Sequence, residues 1–298
     1  MPLRHITCRH TSPCSAKSAL RLASHCSRAG ACAALGWALA ISCGTNLLAQ
    51  PSDATDAAAL IANAYPNHIA KIEAGKVHWR DGTSMPFDDG GGPKAFKHWL
   101  DAPDVEDMLD QPYPTGAAIT PPGPDQDPGR ARNAEFFAKI YGDCRKGEVA
   151  PHLVDVVWLP KKWGRKLKVS SVNGVAQQLD AVSRALDALP PRFDRYLLPP
   201  AGTYNCRVIA GTNRVSAHGY GIAIDIATAA ADYWRWTKPG ADEAPIWRNR
   251  IPQEIVDIFE KHGFIWGGRW HHFDTMHFEY RPELNPPSRA AAPAARQP

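Results

Sequence analysis

The sequence has no acidic residue in its first 49 positions and only two cysteines beyond position 43. It also has no apolar run long enough to span a bilayer comfortably. The missing acids account for the positive net charge. Five of the 34 basic residues (Arg4, Arg9, Lys17, Arg21 and Arg28) lie in that stretch, and the other 29 face 30 acidic residues. The rest of the chain is therefore near neutrality, which gives no support to a nucleic-acid partner, since such a partner calls for a basic stripe. A hydrophobic fraction of 44% and a charged fraction of 21% exclude a wholly disordered or collagen-like chain. No internal repeat is visible, and 298 residues suit one large domain or two small ones.

The basic, acid-free lead runs into the apolar stretch Ala31 to Ile41, a polar patch, and Leu47-Leu48-Ala49-Gln50. This order reads as a secretory signal peptide over residues 1–49, cleaved near Ala49. The lead is long for such a signal, which puts the expected start codon downstream. A lipoprotein site at Ala40-Ile41-Ser42-Cys43 is the weaker alternative, because Ala is a poor first residue there. The mature chain is thus expected to be exported, with no integral membrane segment. Five of the seven cysteines (Cys8, Cys14, Cys26, Cys32 and Cys43) fall in the leader, leaving Cys144 and Cys206. In an oxidising compartment two cysteines most simply form one disulfide; two unrelated buried thiols are the alternative.

Residues 50–129 form a first region of unknown role. A helix is expected from a cap at Asp53 through Tyr65, extended pieces around the Asp81-Gly82 turn, a short helix near Phe96, Trp99 and Leu100, and a Pro- and Gly-rich loop from Gln111 to Gly129. Residues 130–284 form the second region. Phe136, Phe137, Ile140 and Tyr141 suggest a helix, and Leu153 to Leu159 a strand. Val175, Leu179, Val182, Leu186 and Leu189 recur at helical spacing behind an expected cap at Asn173. Tyr204 to Ile209, Gly221 to Ile226 and Met276 to Tyr280 read as strands. Pro252 to His262 reads as a helix closed by Gly263. The Ala/Pro-rich tail over 285–298 is expected to be disordered. Strands and helices mix irregularly, which predicts an α+β fold rather than a doubly wound sheet.

Two segments carry chemistry: Ser216 to Asp225, and Trp266 to Tyr280. His218 precedes a Gly turn. Asp225 ends an apolar strand, where a carboxylate is costly unless paired or bound to a metal. His277 lies in a strand beside Phe278. Two imidazoles and one carboxylate form a common catalytic zinc site with a fourth position open to water. Asp274, three residues before His277, is placed to act as general base on that water. Each residue alone has a bland explanation, such as a core histidine or a turn aspartate.

Ser216-x-His218-x-x-Gly221-x-Ala223-x-Asp225 resembles the S-x-H-x-x-G-x-A-x-D signature of the VanY-like D-alanyl-D-alanine peptidases. Asp274-x-x-His277-Phe278-Glu279 is similar to the second motif of their L-alanyl-D-glutamate and carboxypeptidase branch, and Tyr204 to Thr212 looks like that branch too. The resemblance runs from about Cys144 to Leu284. It implies a catalytic domain over 130–284 with a small antiparallel sheet and flanking helices, of the hedgehog-like kind. It also implies one Zn2+ per chain on His218, Asp225 and His277, with Asp274 as base. Arg207 takes the place of the arginine that stabilises the oxyanion, and Ser216 touches substrate or orients His218. The implied substrate is a peptidoglycan stem peptide and the implied compartment the periplasm. A wall-binding module without turnover and a zinc amidase are the competing functions.

Neighbouring residues leave alternatives open. His271 or His272 could replace one ligand. Glu279 either fixes an imidazole or sits in a salt bridge. Trp266 and Trp270 either wall a cleft or fill the core. Arg214 and Arg269 either bind a substrate carboxylate or lie on a solvated face.

Overall fold

The structure is a computed structural model that describes residues 54–238, 240 and 244–287. The expected signal peptide, the Asp53 cap and the tail from residue 288 lie outside these residues. The architecture is α+β, built on small antiparallel sheets with helices packed against them.

In the first region helix α1 (Ala54–Ala64) leads into a three-stranded meander of β1 (Ile69–Glu73), β2 (Lys76–Trp79) and β3 (Ser84–Pro86). Helix α2 (Phe96–Asp101) follows. In the second region helix α3 (Ala134–Tyr141) starts at Asn133, whose side chain accepts the N–H of Phe136. A hairpin pairs β4 (Leu153–Trp158) with β5 (Arg165–Ser170). Helix α4 (Val175–Asp187) and a short helix α5 (Asp194–Leu197) come next. The last sheet has the order β6 (Ala223–Asp225), β8 (His277–Tyr280), β7 (Phe264–Trp266), with helix α6 (Gln253–Lys261) leading into β7.

Three local expectations need correction. The cap of α4 is Gly174, not Asn173. Asn173 sits in the left-handed region at φ 51° and its side-chain amide donates to the carbonyl of Ala64, so a contact with α1 takes the place of a cap. Tyr204 to Ile209 is a loop that makes a single bridge, Val208 to Val215, and is tied to an earlier part of the chain by the Cys144–Cys206 disulfide. Asn285, assigned to the disordered tail, is buried and donates to the carbonyls of Glu260 and Phe264. Strands β5 and β7 had no sequence assignment.

The two regions share one core. Tyr65, Ile69, Val77 and Trp79 of the first lie in the same buried cluster as Phe136, Leu179, Phe259 and Phe278 of the second. Polar contacts join them as well. The Tyr65 hydroxyl donates to Glu283 at 2.7 Å, and the Tyr113 hydroxyl donates to Glu260 at 2.6 Å while accepting the N–H of Trp266 at 2.8 Å. Residues 54–129 are thus built into the same hydrophobic core as the residues after them.

The last sheet has two unlike faces, as the period of two requires. Ile224, Phe278 and Trp266 point one way, and the ring of Phe278 stacks on Phe259 of α6 with centroids 3.8 Å apart. Ala223, Asp225, His277 and Glu279 point the other way. Asp225 is directly opposite His277 in the register, and Ala223 opposite Glu279. Such pairs bring side chains within reach across the strands.

Removing the Tyr65 hydroxyl takes one donor from a buried carboxylate. Tyr65→Phe should lower stability by about 1–3 kcal/mol, read from urea denaturation midpoints at unchanged slope. A loss within error would show that residues 54–65 dock without depending on this bond.

Candidate metal centre

The strand register supplies two of the three convergent side chains. The third, His218, comes from the turn Ala217–Tyr220, closed by the Gly219 N–H donating to the Ser216 carbonyl. This turn is braced on the β4–β5 hairpin, since the Ser170 N–H donates to the Gly221 carbonyl. His218 Nε2 lies 3.2 Å from His277 Nδ1 and 3.2 Å from Asp225 Oδ1, and His277 Nδ1 lies 3.0 Å from Asp225 Oδ1. Four tetrahedral ligands about zinc stand roughly 3.3 Å apart when the bonds are about 2.0–2.1 Å. The triangle therefore has the size of such a site.

The outer partners set the ring tautomers. His218 Nδ1 donates to the carbonyl of Thr203, whose hydroxyl donates in turn to the carbonyl of Lys168 on β5. His277 Nε2 is 3.0 Å from Glu279 Oε2. With those nitrogens protonated, the lone pairs of His218 Nε2 and His277 Nδ1 converge with a carboxylate on one point. Three acceptors with no donor between them fit a cation, and a carboxylate behind one imidazole is a common metal-site support.

Glu279 is wholly buried and carries more than the imidazole. Arg132 Nη1 bonds it at 2.9 Å and Arg281 Nη1 at 3.0 Å. Burial raises the Glu279 pKa, but Arg132, the His277 hydrogen bond and Arg281 outweigh it and hold the carboxyl well below its usual range. Burial also lowers the His277 pKa. Hydrogen bonds and charge from Asp225 and Glu279 overcome it and raise the imidazole to about 10 in the metal-free protein. Asp225 is raised by burial but pulled well below normal by His218 and His277.

Asp274 lies beside this group. Its N–H donates to the Gly267 carbonyl, and its own carbonyl accepts the His277 N–H at 3.1 Å. A Cβ on Gly267 would come within 2.5 Å of the Asp274 carbonyl oxygen, so only glycine permits this approach. Asp274 Oδ1 is buried with no hydrogen-bond partner. Burial and the nearby charge of Asp225 raise the carboxyl to about 6, against the opposing charges of His277, His218 and Arg130.

The other sequence candidates fall out differently. Arg207 is exposed, and the structure gives its side chain no hydrogen bond or ion pair to the group. The guanidinium whose charge reaches Asp274 is Arg130. It bonds Asp127 at 2.7 Å and sits over Trp270, whose ring centroid is 5.6 Å from that of His277. Sequence reading passed over Arg130 and Asp127 because neither lies in a motif; the link is made only in three dimensions. Ser216 is buried next to His218, and its backbone shapes the turn while its hydroxyl makes no bond to the three ligands. His271 and His272 stay apart: His272 Nδ1 pairs with Asp127 at 2.8 Å, and His271 Nδ1 accepts the Asp125 N–H. Trp266 is core, with its indole N–H on the Thr275 carbonyl, and Arg269 is buried on Glu260. Cys144 and Cys206 form the disulfide.

The α+β domain thus has a central strand that pairs a histidine with an aspartate, beside a second histidine. Residues 210–280 match the D-alanyl-D-alanine carboxypeptidase family, the family of the VanY-like peptidases, and so support the resemblance drawn from the two motifs. The match supports a peptidase acting on peptidoglycan-type D-Ala-D-Ala substrates. No curated protein and no solved structure matches the chain. Among the described residues no helix is long and apolar enough to cross a membrane.

Two measurements probe the centre. Because His277 is protonated at neutral pH without metal and must be neutral to ligate, cation binding should release about one proton, and apparent affinity should climb as pH rises toward 10. Titration calorimetry in buffers of different ionisation enthalpy counts that proton; a count of zero contradicts ligation by His277. Glu279→Gln should weaken zinc binding by about 10–100-fold in a competition assay with a chromogenic chelator.

Proposed function

We propose that this protein is an exported, zinc-dependent peptidase that hydrolyses amide bonds in peptidoglycan stem peptides. The reading is carried by one observation: three lone-pair donors converge beside a buried carboxylate, Asp274, that has an unpartnered oxygen. His218 Nε2, Asp225 Oδ1 and His277 Nδ1 would hold the zinc, which when bound supplies Lewis-acid polarisation of the scissile carbonyl and eases deprotonation of the attacking water.

The chain's own groups do the rest. Asp274 takes the proton from the attacking water at Oδ1 and delivers it to the departing amine. Its burial, which raises its pKa in the metal-free protein, favours both taking up the proton and holding it until the amine leaves. The charge of Arg130 reaches the same carboxylate and favours negative charge in this part of the site. Trp270, buried beside His277, keeps water from that flank of the ligands. The disulfide agrees with an oxidising compartment, which supports export, and the periplasm is where the polymer would be met.

The test is product analysis. The zinc-loaded protein is incubated with muropeptides, with and without a chelator, and the products are weighed by mass spectrometry. Chelator-sensitive cleavage is expected. Release of terminal D-alanine marks a carboxypeptidase, a cut between L-Ala and D-Glu or across a cross-link an endopeptidase, and an intact freed stem an amidase. Asp274→Asn should retain zinc and lose about 10²–10⁴-fold in turnover. No cleavage by wild-type protein holding one zinc per chain would turn the assignment toward a wall-binding module.

A further inference from the structure

The arginines around the ligand group differ in what holds them. Arg130 is paired with Asp127 and Arg132 with Glu279. Arg214 has no such hold: its Nε and Nη1 are buried without a hydrogen-bond partner. Its nearest carboxylate, Asp101 Oδ1, lies 3.4 Å from Nε, out of hydrogen-bonding alignment, and Asp101 is already engaged by Lys97. The Arg214 side chain is only 17% exposed, so water does not replace the missing acceptors around most of it. Guanidinium stays charged at any ordinary pH, and an unsatisfied buried donor on a charged group is costly. Such a cost is normally met by a ligand or a partner.

Its position is informative. Arg214 lies two residues before Ser216 and four before His218, on the loop that carries the first metal-ligand candidate. Its charge is felt together with those of Arg132, which holds Glu279 behind His277, and Arg130, whose charge reaches Asp274. It lines a cavity of about 640 Å3 with Lys97, Asp101, Thr212 and Asn213. Two cations against one carboxylate leave this cavity with an excess positive charge. A small anion attached to a peptide fits that balance, and guanidinium is the side chain best shaped to grip a carboxylate.

We propose that Arg214 binds the free C-terminal carboxylate of the substrate peptide and so selects carboxypeptidase over endopeptidase cleavage. The inference rests on the peptidase reading above. The amide bond to be cut would then be the one nearest that carboxylate. A chain continuing past the residue in this cavity would leave the guanidinium without its acceptor. Asp101 would compete weakly with the incoming carboxylate for the same charge.

The test compares a stem peptide ending in a free carboxylate with the same peptide ending in a carboxamide. Wild-type protein should favour the acid at least about tenfold in kcat/KM. Arg214→Gln should bring the ratio of acid to amide close to unity, while Arg214→Lys keeps part of it. Asp101→Asn should lower KM for the acid several-fold and raise the ratio. Thermal melting shows which variants fold; if Arg214→Gln does not, the ratios for Arg214→Lys and Asp101→Asn decide. Equal rates on acid and amide in wild type, or ratios unchanged in the folded variants, overturn the inference and leave the peptidase intact. Failure of wild type to cut either peptide overturns both.

Discussion

A single buried carboxylate, Glu279, joins the chemistry of this molecule to its architecture. It is shut off from water, and its charge is tolerable only because two guanidiniums and an imidazole surround it. The imidazole is a metal-ligand candidate. Arg132 belongs to the approach to α3, and Arg281 passes the charge on to Glu283, which meets the Tyr65 hydroxyl at the end of α1. A line of alternating charges therefore runs from the first helix to the candidate centre. Any disturbance along it leaves a buried charge without its counterpart. The line and the sheet together hold His277 beside Asp225 and His218, with the three ligand atoms 3.0–3.2 Å apart.

The sheet meets the rest of the requirement by dividing its labour between faces. Phe278 and Ile224 anchor it to α6, while His277 and Asp225, one residue away along the same strands, face the site. Ala223 opposite Glu279 leaves room for the carboxylate and its arginines where a larger side chain would not. The short strands suffice because the turn at His218 is tied to the hairpin through Thr203 and Ser170.

How far all this could be read in the sequence follows from how local each signal is. The α+β class, most helices and the convergence of His218, Asp225 and His277 were legible, because motif spacing and alternation are short-range properties. Asp274 was legible for the same reason. Arg130 was not: it earns its place by lying over Trp270, 140 positions further along the chain, while Asp127, three residues before it, reaches His272. Arg207 drew attention through the resemblance of Tyr204 to Thr212 to the family's branch, yet its side chain is exposed and makes no bond to the ligand group. Strand β5, Arg165-Lys166-Leu167-Lys168-Val169-Ser170, was hidden by its charge, since four of its residues are half-buried or exposed and only Val169 and Ser170 are buried. The first region read as separate because nothing in it hints that Tyr65 and Tyr113 end on carboxylates near the C-terminus.

The Cys144–Cys206 bond closes a ring over 62 positions of sequence. Inside the ring lie the β4–β5 hairpin, with its exposed turn around Pro160 to Gly164, and helix α4. Outside it, on the C-terminal side, lie all three ligand candidates and Asp274. A protease that nicks the hairpin turn opens the ring without parting the molecule. Both halves stay covalently joined across the sulfurs; the three ligand candidates and Asp274 remain on one uncut segment, and Arg130 and Arg132 on the other. A single cut in this part of the surface therefore leaves the protein in one covalent piece until the disulfide is reduced.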